Sequence, residues 1–372
     1  TKAVAQAETD AAVASTPDGE KLAKPPGDSA GEPAPRKAKG LARVDSNVRP
    51  AAAFEAVETA GATDLVLAGE KKINASELRL KPGQRVRGRA GQRPLVVVTD
   101  AALRIPCDAV QFEGIDFVWE GSAGVGKRGA MQTMVLLAAR SVEMRGCSFS
   151  TKGGVTPTAI TWRGAAGGGA DDDGELVLTD CVFRGVAAVV DCRADAGVAV
   201  ALNNTLCVAA GPILRMRDAP RRRATIAISL DHTTTRGDCA VLDCGYGEPN
   251  DELGLVAISV AESVLATNPR RGLLVFRGAQ QPDNLLRSIS WTGQGSLITA
   301  QTAVALWRQP GRSPSVLPED DLSVAGLVRS SVEFAGPADG PPSTSRITRW
   351  QAPLQSAAPP GADVDVLYLP GD

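Results

Sequence analysis

Apolar residues alternate with polar ones in short runs along most of the chain, and the runs fall into two tracks. The first reads apolar–x–apolar–x–x–small–x–apolar. It occurs as Val110, Phe112, Ile115, Phe117, as Val142, Met144, Cys147, Phe149, as Leu176, Leu178, Cys181, Phe183 and as Val200, Leu202, Thr205, Cys207. It persists more weakly as Ile228, Leu230, Thr233, Thr235 and as Ile258, Val260, Ser263, Leu265. The second track is apolar–x–large residue or Cys–Arg. It reads Ile160-Thr161-Trp162-Arg163, Val190-Asp191-Cys192-Arg193, Leu214-Arg215-Met216-Arg217, Leu274-Val275-Phe276-Arg277 and Ala305-Leu306-Trp307-Arg308, with Leu242-Asp243-Cys244-Gly245 as a variant.

The two tracks stay in phase. Nine residues separate Phe183 from Cys192, Cys207 from Met216 and Thr235 from Cys244. Length varies only in intervening loops such as 164–175, 218–225 and 245–254. A fixed strand–turn–strand core with variable loops is the signature of a solenoid. Within each track the apolar period is two, so the elements are strands and the protein is all-β. Equivalent residues of successive coils then stack about 4.8 Å apart. Val142, Leu176, Val200, Ile228 and Ile258 are expected to form one interior row.

These repeats resemble the coils of a right-handed parallel β-helix of the pectin-lyase-like kind, over roughly residues 50 to 310. The pattern predicts about eight coils. In that family a tight turn between two strands often carries a stacked Asn, and Asp180, Asn204 and His232 stand at that place here. The likeness speaks to fold; a fold hosts many functions.

The ends read differently. Residues 1–50 are rich in Ala, Pro, Lys and acidic residues and cannot bury enough apolar surface to offset ordering, so a disordered linker is expected. Ala51 to Ala60 is helix-prone and suggests a helical N-terminal cap on a solenoid spanning 51–312. Residues 313–350 look like a C-terminal capping segment with two short strand-like pieces, and 351–372 like a flexible, loosely attached tail. The chain begins Thr1-Lys2-Ala3 without Met, as expected of a processed product or a piece of a longer protein. Linker and solenoid together are similar in composition to the extracytoplasmic parts of membrane-anchored serine/threonine kinases of planctomycete bacteria. That likeness implies an extracytoplasmic location, with kinase activity residing elsewhere, since no kinase motif is present.

Charge changes the picture by exclusion. Forty Lys and Arg against 42 Asp and Glu give a net charge of −2, which offers no global attraction to nucleic acid. No apolar run approaches the roughly 18 residues of a membrane-spanning helix. Seven cysteines cannot all pair within the chain, and most fall at inward positions, so buried thiols are expected. With no CxxC and a single histidine, no metal site or cofactor is expected.

Candidate chemistry is sparse. Gly121 to Arg128 matches Gly-x4-Gly-Lys, but Arg128 stands where a phosphate loop needs Ser or Thr, so it reads as an insertion loop. Gly167 to Glu175 clusters three Asp and a Glu, in a spacing that fits no EF-hand and reads as a solvated loop. His232 reads as a turn residue and not as a general base. If the large residues of the second track point inward, Arg163, Arg193, Arg217, Arg277 and Arg308 line up outward along one face. Two readings stay open: a solvated edge satisfied by nearby acids and carbonyls, or a groove for an anionic polysaccharide, since Arg matches carboxylates bidentately. Asp191 and Asp243 sit outward on the same track, roughly 9–10 Å apart across two coils, with Arg215 between them. The resemblance implies that this face is where a polysaccharide would lie. An arginine set between two acids works against a proton donor, so a hydrolase pair is disfavoured. A lyase using Arg215 with a bound metal, beside Asp191 and Asp243, is the remaining catalytic alternative to a non-catalytic binding or scaffold domain.

Overall fold

The computed structural model describes the chain from Phe54 to Leu369, apart from short stretches of which the longest are 122–131, 164–173, 247–253 and 352–358. The expected linker, the glycine-rich stretch after Gly121, most of the acidic cluster and Cys107 lie outside the described residues.

Three large sheets form the body of the coils, and successive strands pass from one to the next. Sheet A holds ten strands from Phe54–Thr59 to Ile289–Gln294, and sheet B ten from Lys72–Asn74 to Leu327–Ser330. Sheet C holds nine, from Leu103–Ile105 to Ser315–Val316. Neighbouring strands pair in parallel through roughly seven regular turns, so the chain is an all-β parallel solenoid. The first track supplies sheets A and B, and the second supplies sheet C. Val142, Leu176, Val200, Ile228 and Ile258 pair in register and are all buried, forming the single interior row expected.

The remaining interior columns explain the rest of the pattern. Phe117, Phe149 and Phe183 stack with ring centroids 4.8 Å apart, the spacing of paired strands. From Cys147 onward the small position of the first track carries a hydroxyl or thiol for a reason. Cys181 Sγ, Thr205 Oγ1 and Thr233 Oγ1 each donate to a carbonyl of the preceding coil, at Met144, Leu178 and Leu202. A buried polar group is tolerated when it is hydrogen-bonded, and each of these bonds to a carbonyl near the end of a sheet A strand. Just before it the chain turns from sheet A to sheet B through one left-handed residue. Asp180, Asn204, His232 and Glu262 occupy that place with φ between 42° and 54°. Asn and Asp tolerate this region because their short polar side chains bond locally, and Asn204 Nδ2 donates to Asp180 Oδ1 at 2.8 Å.

The ends depart from expectation. Phe54–Thr59, in the segment read as helix-prone, is a strand paired antiparallel with Ala62–Leu67. A helix of so few residues is marginal by itself, and pairing at the sheet edge outweighs its propensity. At the far end Ser315–Val316 pairs antiparallel on sheet C, while Leu327–Ser330 adds a parallel strand to sheet B.

Beyond that strand the chain turns back across the outside of sheet B. Val332–Phe334 and Ile347–Trp350 form an antiparallel pair. Buried Arg236 holds the segment between them, donating to the carbonyls of Gly336 and Thr344 and to Ser345 Oγ, with its guanidinium 4.0 Å from the Phe334 ring. The expected loose tail is, over residues 359–369, docked on the same side. Val364 and Leu367 pack on Val182, Leu206 and Val208. The sheet's outward residues are apolar here, and burying them outweighs the entropy of a free tail.

Candidate functional site

The outer face of sheet C carries the residues singled out from the second track. Thr161, Asp191, Arg215, Asp243, Val275 and Leu306 follow one another in register down this face. Trp162, Cys192, Met216, Cys244 and Phe276 form the inward column beside them and are buried. The next outward column is therefore Arg163, Arg193, Arg217, Gly245, Arg277 and Arg308, a continuous row broken once. The break has a steric cause. A Cβ at residue 245 would lie 1.7 Å from the Arg217 carbonyl oxygen, so only glycine fits.

The ion pairs do not follow the simple ladder. Asp191 is only 4% exposed and accepts from Arg193 Nε at 2.7 Å. Both project from the same side of one strand, two residues apart, so this pairing is local. Asp243 accepts from Arg277 Nε on the next coil, and Arg277 also donates to the Met216 carbonyl. Arg215 stands in register between the two acids, yet its Nη2 donates to the carbonyl of Ala187. Arg217 is almost fully solvated, 3.8 Å from the equally open Asp218. Arg163 is exposed.

A depression of about 310 Å³ opens beside this column. Its floor comes from sheet C through Arg215, Asp243, Val275 and Arg308. Its rim comes from the turns between sheets B and C, through Ala187, Gly211, Pro212, Asp238 and Arg271. Gly211 is required there, because a Cβ would sit 1.8 Å from the Ala187 carbonyl oxygen. Arg271 is tied to Asp238 at 2.8 Å, which in turn accepts from Asn268. Arg308 differs: among the described residues its guanidinium makes no hydrogen bond or ion pair, and its Nε is buried against the wall. Three arginines against two aspartates leave the lining with an excess positive charge.

The rim residues Asp238 and Arg271 escaped the sequence reading. The signal was available in the fixed nine-residue spacing, which stacks the turns between sheets B and C as regularly as the strands.

Elsewhere the chemistry is quiet. His232 is a left-handed turn residue whose Nδ1 lies 2.9 Å from Asp231 Oδ1. Cys147, Cys181, Cys207, Cys239 and Cys244 are buried free thiols, and Cys192 is buried. Burial pushes the Cys147 and Cys244 thiols up to about 12, far from the reactive thiolate. Among the described residues no three His, Cys, Asp or Glu side chains converge as a metal site would require. No helix among them is long and apolar enough to cross a membrane.

Comparison of the chain with protein-family models, with curated proteins and with solved structures finds no match.

Proposed function

We propose that the depression on sheet C, with the arginine row beside it, binds an extended anionic polysaccharide without cleaving it. In this reading the chain is a right-handed solenoid of the pectin-lyase-like kind. It serves as an extracytoplasmic binding or scaffold domain, carried by a larger membrane-anchored protein such as a serine/threonine kinase. The observation that carries the binding role is Arg308, a groove-lining guanidinium with no partner among the described residues, beside an in-register arginine row. A guanidinium presents a planar fork of donors that matches a carboxylate, and a row repeated at the coil spacing suits a repeating polyanion. Asp191 and Asp243 are each engaged by an arginine, which favours a supporting role over general acid–base work.

The test is a binding titration with polygalacturonate, with neutral dextran as control. The wild-type chain should bind polygalacturonate alone, and more weakly as salt rises. Replacing Arg193 and Arg217 together should weaken binding at least ten-fold and flatten that salt dependence. Unchanged affinity in the double variant returns the row to plain surface. Release of an unsaturated product, abolished by Asp191→Asn or Asp243→Asn, replaces the scaffold reading with a lyase.

A further inference from the structure

On the opposite side of the solenoid the chain's own end packs against the coils. Residues 359–369 run back along the turns between sheets A and B. Three consecutive amides each find an acceptor in a different coil: Gly361 N donates to the Glu262 carbonyl, Ala362 N to Thr234 Oγ1 and Asp363 N to Asn204 Oδ1. Val364 and Leu367 then fill the apolar patch of Val182, Leu206 and Val208. Tyr368 ends the contact, with the Arg93 guanidinium 3.6 Å from its ring centroid.

The fit is specific in sequence. Gly361 has φ of 99°, and a Cβ there would lie 2.4 Å from Thr234 Oγ1, so only glycine allows this approach. The seat therefore reads a glycine, an apolar residue three positions on, another after three more, and then an aromatic. Side chains of the solenoid provide two of the three amide acceptors, so the seat recognises the strap's main chain as well as its side chains.

The strap is held by few contacts compared with the core it covers. It contributes no strand to any sheet, Val366 and half of Tyr368 face solvent, its main-chain anchors are single hydrogen bonds, and its ion pair, Asp365 with Arg346, is solvent-exposed. Segments with few buried apolar contacts open without global unfolding. Its contacts with the coils are also remote in sequence, the Gly361 to Glu262 bond spanning 99 positions. Nothing in the local chain distinguishes this strap from an identical one supplied by another molecule, and exchange of identical elements is a low-cost route to association.

We propose that the ridge from Glu262 to Arg93 is a peptide-docking groove, closed in cis by a strap that opens independently of the solenoid, and that its occupant in trans is the strap of a second copy. This site is separate from the sheet C depression and does not depend on the polysaccharide reading.

Two measurements on the full chain test it. In hydrogen exchange of the wild type, the amides of Gly361, Ala362 and Asp363 should exchange at least 100-fold faster than those of Leu206 and Thr234. Protection equal to that of Leu206 overturns independent opening, and this result needs no variant. The second uses a dye-labelled synthetic peptide of residues 359–369 and the full chain carrying Val364→Asp with Leu367→Asp, which unseats the strap and leaves the groove intact. The peptide should bind this variant saturably and at least ten-fold tighter than the wild type, whose groove is filled. A peptide with the same two substitutions should not bind. Equal affinity for both proteins, or no binding to a variant with an unchanged far-ultraviolet spectrum, overturns the groove.

Discussion

Sheets B and C are built from the same coils and share one interior, yet their outer faces have opposite characters. Outward residues of sheet B, such as Val182, Leu206 and Val208, are apolar and sealed by residues returning from the C-terminus. Arg236 on that face is buried with its donors spent on the covering chain. Outward residues of sheet C set aspartates and arginines among Thr161, Val275 and Leu306, and a depression stays open beside them. Every outward position of a solenoid must be either wet or covered; the returning chain covers sheet B, whereas on sheet C buried Asp191, Val275 and Leu306 sit beside exposed arginines. The lesson is that the repeat dictates the interior, whereas the residues outside the repeat decide which face is available to a partner.

The largest expected effect tests the sealed face. Leu206→Ala should cost about 3 kcal/mol in denaturant unfolding, as for a core residue, because its patch is buried on both sides. A cost near zero would mean that the covering chain contributes nothing. On the open face, Gly245→Ala should destabilise by about 1–3 kcal/mol through its clash with the Arg217 carbonyl. An unchanged transition would show that neighbouring coils separate there more easily than the row requires.

The shared interior gives a pH signature. The Cys147 and Cys244 thiols ordinarily titrate near 9 and are raised to about 12 by burial. Below pH 9 each is neutral whether folded or unfolded. As pH climbs from 9 toward 12 only the unfolded chain ionises, so stability falls by up to ~1.4 kcal/mol per pH unit for each thiol. A thiol reagent at neutral pH should label neither residue until the chain unfolds. The smallest effect belongs to the open face: Asp243→Asn should cost about 1 kcal/mol, since its partner Arg277 is partly solvated, and buried Asp191→Asn somewhat more.

Much of this comparison was legible in the sequence, and its limits are physical. The interior row could be read because a period of two and a fixed nine-residue phase admit one register. The arginine row could be read for the same reason, since strand alternation sets direction. Partners could not. Arg215 falls between Asp191 and Asp243 by register, but a nearer carbonyl on the adjoining turn takes its Nη2. The strand at Phe54–Thr59 was hidden because edge pairing there overrides a local helical preference. The strap was hidden because Gly361, Val364 and Leu367 form no repeat, and their meaning depends on a surface built from residues far away.

The most direct test of the two-faced account is a hydrogen-exchange footprint of the full chain with and without saturating polygalacturonate. Protection should appear at the sheet C rim, at Ala187, Gly211 and Ala240, with no change along Leu206, Val208 and Gly361 to Asp363. Protection confined to the strap and sheet B, with the sheet C rim unchanged, would contradict the assignment of the open face as the binding face.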